Sequence, residues 1–224
     1  MAALLAGGAA GAQINDARYA EPTTRYPHGV LGDAVEYGAL VIEDEALGTR
    51  LFRLPEALVF EDTAPRVVDV TGDSNLEVVV VESHQSRGAR LAIWTSEGRI
   101  AQTPFIGTRF RWLAPVAIAD LDGDGHVELA YVDRPHLAKV LRVWRYRDGT
   151  LAPVASAEGH TNHRIGERDI AGGLRECGAG PEMVTARADW SRLLATRLEG
   201  GALVSRDIGP HMGRESFAAA LACR

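Results

Sequence analysis

The stretch from Asp69 to Val78 lies over the stretch from Asp120 to Leu129 without a gap, and this internal copy constrains the fold more than any other feature. Asp69 falls on Asp120, Gly72 on Gly123, Asp73 on Asp124 and Glu77 on Glu128. About 14 residues further on, Leu91–Trp94 matches Leu141–Trp144, and the turns Ser96-Glu97-Gly98 and Arg147-Asp148-Gly149 follow. The period is therefore about 50 residues. Fainter copies flank the pair. Upstream, Gly32-Asp33 precedes Gly38–Ile42 and Thr49–Leu54. Downstream, Cys177–Thr185 follows the same plan with Glu182 in the place of Glu128, and Leu193–Leu198 supplies the next apolar run. Four repeats are expected, over 26–60, 61–106, 107–156 and 157–206, in one domain spanning 13–224 and ending in a C-terminal tail.

Within each repeat the apolar runs are short, rich in Val, Ile and Leu, and bounded by Gly, Asp or Pro, which is the pattern of strands. Val78–Val81 is apolar at every position, as expected for a strand covered on both faces. Apart from Glu215–Ala222 near the end, no segment has helical periodicity. The expected fold is all-β: a small β-propeller of about four blade-like repeats, each an antiparallel sheet. A fifth, degenerate blade built from the chain ends is the alternative.

The sharpest motif is Asp120-Leu-Asp-Gly-Asp-Gly-His-Val-Glu128. Ca²⁺ takes six to eight hard oxygen ligands. Asp120, Asp122 and Asp124 alternate along a turn that Gly123 and Gly125 allow to be tight, so their carboxylates are able to converge on one ion. The His126 backbone carbonyl and the Glu128 carboxylate complete the expected ligand set. An EF-hand would need a Glu at the twelfth position; Tyr131 stands there, and a strand rather than a helix follows. The alternative is an acidic β-turn without an ion. The weaker loop at Asp69 keeps Asp73 and Glu77 but has Thr71 and Ser74 where the stronger one has Asp122 and Gly125.

On these residues, Asp120–Leu129 and its echo at Asp69–Val78, the chain resembles the FG-GAP/VCBS repeats, the blades of integrin α-chain propellers and of many bacterial exported proteins. The resemblance implies blades whose Asp-rich loop joins the first strand to the second. The family usually carries Asp where Glu128 stands.

Composition excludes some functions. With 46% hydrophobic and 24% charged residues the chain is neither disordered nor membrane-embedded, and no apolar run approaches the length of a spanning helix. A net charge of −6 speaks against nucleic acid as a partner. Residues 1–12 are small, apolar and uncharged, and Ala10-Gly11-Ala12 fits a signal-peptidase site, so a signal peptide or its remnant and a periplasmic or secreted location are expected. Two cysteines, Cys177 and Cys223, are consistent with one disulfide in such a compartment or with two buried thiols.

The remaining candidates are weaker. His160 and His163, flanking Asn162, have the spacing of metal ligands but no evident third one, and read as a polar loop. Trp94 and Trp144 occupy equivalent positions and are expected to pack between blades. Trp112 and Trp190 are read the same way, with a surface site for sugars or peptides as the alternative. No nucleophile elbow, P-loop or dinucleotide fingerprint is present. The expected function is a non-enzymatic, calcium-stabilised module that binds or scaffolds an unidentified protein or glycan. The competing reading is a carbohydrate-active or other hydrolase, which would need paired carboxylates in a central funnel.

Overall fold

The computed structural model describes residues 13–224. The segment read as a signal peptide, 1–12, lies outside them. Seventeen strands and one short helix form three antiparallel sheets among the described residues. The first sheet holds β1 (Ile14–Thr23), β2 (Glu36–Asp44), β3 (Gly48–Arg53), β4 (Leu58–Phe60), β5 (Arg66–Val68), β6 (Glu77–His84), β7 (Gly88–Thr95) and β8 (Gly98–Gln102). The second is a four-stranded meander of β9 (Leu113–Ala119), β10 (Glu128–Asp133), β11 (Val140–Arg147) and β12 (Thr150–Glu158). The third contains β13 (His160–Thr161), β14 (Gly173–Glu176), β15 (Pro181–Arg187), β16 (Arg192–Glu199) and β17 (Ala202–Pro210), and α1 (Arg214–Leu221) packs against it.

The repeats stack because their inner strands are apolar on both faces. In β6, Val78 and Val80 enter one core with Leu40, Phe60 and Trp94, whereas Val79 and Val81 enter the next with Leu91, Ile93 and Leu113. The same two-residue period divides β10: Leu129 and Tyr131 face back into that second core, and Ala130 and Val132 face forward into a third. Met183 of β15 belongs to the third core, and Val184 and Ala186 to a fourth under Phe217 of α1. Each inner strand is thus the partition between two cores. This is the layering of propeller blades, and Trp94 and Trp144 pack between neighbouring layers as expected.

Two features were not expected from the sequence. The first and second repeats are not separate sheets: β4 pairs with β2 through Tyr37 and Phe60 and with β6 through Leu58–Phe60, fusing both into one hydrogen-bonded sheet. The strand β1, before the first repeat read from the sequence, pairs with β2 along its length. The first and fourth repeats also touch, where the Gly166 N–H donates to the Val30 carbonyl at 2.9 Å. Cys177 and Cys223 form a disulfide that ties the loop between β14 and β15 to the residues after α1.

Candidate functional site

The Asp-rich loop connects β9 to β10, where the resemblance places it. Its geometry is set by the first aspartate. The Asp120 carboxylate accepts backbone N–H bonds from Gly123 at 2.7 Å, Asp124 at 3.2 Å and Gly125 at 2.9 Å. Burial acts to raise the Asp120 pKa, but these donors outweigh it and hold the carboxyl below its ordinary value. Closing the loop this tightly puts Gly123 at φ +80° and Gly125 at φ +86°, in the left-handed region where a side chain is strained. The loop connecting β5 to β6 is built alike: Asp69 accepts from Gly72 at 2.6 Å and Ser74 at 3.0 Å, and Ser74 adopts φ +71° despite its side chain.

The consequence is convergence. One carboxylate oxygen each from Asp120, Asp122 and Asp124 lies within 4.8 Å of the others. These are hard oxygen donors on an exposed turn, the chemistry that Ca²⁺ requires. Of the other residues expected as ligands, His126 is half-buried and its N–H donates to Asp124 Oδ1 at 2.9 Å. Glu128 stands apart from the three aspartates, fully buried at the start of β10, where it accepts from the Leu121 N–H at 2.8 Å.

A residue that sequence reasoning passed over shares this site. Arg145 of β11 lies opposite Glu128 in the β10–β11 register. Its Nε donates to Glu128 at 2.5 Å, Nη2 to Asp122 at 2.6 Å, and Nη1 stands 2.8 Å from Asp124. One guanidinium therefore compensates part of the charge an ion would compensate. The signal was available: Arg145 follows Trp144, and the hairpin from Glu128 brings the two opposite each other. The second repeat has Thr95 there, and its Glu77 accepts from the Val70 and Thr71 N–H groups and, at 3.5 Å, from the Thr71 hydroxyl, all within the loop.

Glu77 and Glu128 belong to a set of four. Glu36, Glu77, Glu128 and Glu182 are all buried near the start of an inner strand. Arg206 and Arg175 pair with Glu182 and hold its carboxyl below the ordinary value against the effect of burial. Among the described residues Glu36 has no hydrogen-bond donor. Burial, with Glu61, Asp33 and Asp62 nearby, raises its pKa to about 9. Glu61 in turn accepts from Ser83 and faces His28 Nδ1 at 2.5 Å.

The histidine and tryptophan candidates are internal. His160 and His163 do not share a ligand position: His160 Nδ1 meets the Thr185 hydroxyl at 2.8 Å, while His163 Nδ1 meets His136 Nε2 at 3.0 Å. Both are buried, with Asn162, rather than displayed on a loop. Trp112 does not line a surface site, because its indole is buried and donates to the Glu61 carbonyl at 2.8 Å. Trp190 is half-buried under the Arg164 guanidinium, 4.1 Å from its ring.

A sequence model of the FG-GAP-like repeat matches residues 69–131, from Asp69 of the weaker loop through the whole of the stronger one. This segment is an FG-GAP-like repeat. It covers β6 to β9 with the Asp-rich loops before and after them. Among solved structures, the chain is similar to a calcium-binding protein, regucalcin, of Agrobacterium tumefaciens strain C58, with 13% identity and a TM-score of 0.37 over 91% of this chain and 58% of that one. The chain thus spans less than two thirds of that protein's length. It has no significant match among curated protein sequences. No helix among the described residues is long and apolar enough to cross a membrane.

Proposed function

We propose that this chain is a calcium-stabilised, non-enzymatic repeat module that binds or scaffolds a partner in the periplasm or outside the cell. The observation that carries the reading is the convergence of Asp120, Asp122 and Asp124 within 4.8 Å on the FG-GAP-like segment. These three would hold the ion, with the His126 carbonyl as a further protein ligand and the Glu128 carboxylate completing the set once it exchanges Arg145 for the ion. The ion would supply charge compensation and lock the β9–β10 connection; all its ligands come from one turn, which favours a structural over a catalytic part. The Cys177–Cys223 disulfide supports an oxidising compartment.

An ion bound only by the folded state stabilises by RT ln(1 + [L]/Kd), about 2.7 kcal/mol at a hundredfold excess over Kd. At about 2–4 °C per kcal/mol for a chain of this size, removing calcium with a chelator lowers the melting temperature by roughly 5–11 °C. Asp122→Ala combined with Asp124→Ala abolishes that response and leaves the strand content intact by circular dichroism. Identical melting with and without calcium refutes the reading and leaves the loop an acidic turn closed by Arg145.

A further inference from the structure

A groove of about 850 Å³ opens between the second and third repeats, within the usual size of a small-molecule cleft. Its lining includes Arg87, Arg90, Gln102, Phe105, Trp144 and Pro153. It is separate from the Asp-rich loop, none of whose residues line it. From these residues we infer that the groove binds a carboxylate-bearing saccharide, a chain of uronate units. The inference deepens the reading of the chain as a binding module by naming the class of its ligand.

Charge is the first argument. Two guanidinium groups stack on one ring: Arg87 lies 4.2 Å and Arg90 4.4 Å from the centroid of Phe105. Arg90 also binds Glu82, but that carboxylate is shared with Arg99. Among the described residues Arg87 has no carboxylate partner. Two guanidinium groups thus share one carboxylate and Arg87 adds a third, unpaired one beside them, leaving a local excess of two positive charges in a chain whose formal charge is −6. Arg90 spends its Nε–Nη2 edge on Glu82, whereas stacking occupies only the face of the Arg87 guanidinium and leaves its N–H edge for in-plane, bidentate bonds, the geometry a carboxylate accepts.

The second argument separates a sugar from a peptide. β8 and β12 lie side by side, each ending its own sheet, and an acidic peptide would dock there by adding a strand. Pro104, just after β8, and Pro153, within β12, both line the groove and bring no N–H to such a ladder. They and the half-buried Trp144 offer flat apolar surface instead, onto which the C–H face of a pyranose stacks. The Gln102 amide supplies both donor and acceptor for ring hydroxyls.

The test is isothermal titration calorimetry of the full chain at low salt with trigalacturonate, with maltotriose and hexaglutamate as the neutral and the peptidic probes. Trigalacturonate is expected to bind at least tenfold more tightly than either, and more weakly as salt rises. Arg87→Gln, at an exposed loop position, is expected to reduce the affinity at least tenfold with an unchanged melting temperature. Gln102→Ala is the second variant, expected to weaken binding severalfold. Absence of saturable binding by trigalacturonate, equal binding of hexaglutamate, or wild-type affinity in both variants overturns the assignment. Melting with and without calcium on the same samples keeps the outcomes apart: a lost groove ligand with an intact calcium response refutes this inference alone.

Discussion

Replacing Arg145 by alanine separates the two ways in which the Asp-rich loop is able to compensate its own charge. In the wild type one guanidinium meets Glu128, Asp122 and Asp124. Glu128 is the costly partner, because its side chain is fully buried while that of Arg145 is 23% exposed. Removing one member of a buried ion pair costs about 3–5 kcal/mol. Here the partial exposure of Arg145 and the surviving Leu121 N–H bond place the loss at the low end, about 2–3 kcal/mol. The pairs to Asp122 and Asp124 lie nearer solvent and add less than about 1 kcal/mol together. At about 2–4 °C per kcal/mol, Arg145→Ala melts roughly 5–15 °C below wild type in a chelator. In millimolar calcium the difference shrinks or vanishes, since the four carboxylates regain a cation and the guanidinium no longer competes for Asp122 and Asp124. Differential scanning fluorimetry in both conditions measures this. An equal loss in chelator and in calcium shows that Arg145, and no ion, closes the loop. No loss in chelator shows that the burial argument for Glu128 is wrong.

Two further outcomes follow from the disulfide and from a buried carboxyl group. Replacing Cys177 and Cys223 together by serine opens a closure over a sequence separation of 46, worth about 4 kcal/mol in the chain-entropy treatment, so the melting temperature falls by roughly 8–16 °C; a fall of under about 2 °C would show that the rest of the fold already holds those segments together. Glu36 has a folded pKa raised to about 9, so it holds its proton in the folded state and loses it in the unfolded state between that value and the ordinary carboxyl range; its contribution is present at low pH and lost as pH rises through 9. Denaturant midpoints measured from pH 5 to pH 9 should therefore fall more steeply for wild type than for Glu36→Gln, and parallel profiles would contradict the raised pKa.

Much of the layering was legible in the sequence because its signal is periodic. The unbroken Val78–Val81 run already demanded cover on both faces, and β6 divides two cores as that run requires. The alternation of Asp120, Asp122 and Asp124 around two glycines likewise implied their convergence. What escaped depends on contacts between segments distant in sequence. Nothing local in Leu58–Phe60 says that it will bridge β2 and β6. Arg145 looks like any surface arginine until the β10–β11 register turns it toward the loop. Trp112 sits in a connection rather than a strand, and its burial rests on distant partners: the core around Val81 and Leu91, the His163 ring, and the Glu61 carbonyl 51 positions away.

The bridging strand β4 also makes the joints between repeats unequal. Cutting between the second and third sheets separates mainly side chains that pack against one another, together with the bond from the His160 N–H to the Lys139 carbonyl. Cutting between the first two repeats would tear backbone hydrogen bonds on both sides of β4 and leave raw strand edges open to unrelated chains. A lineage that lengthens or shortens such an array by whole blades therefore has one seam it is not free to use: the first two repeats must be inherited, duplicated or lost as a pair.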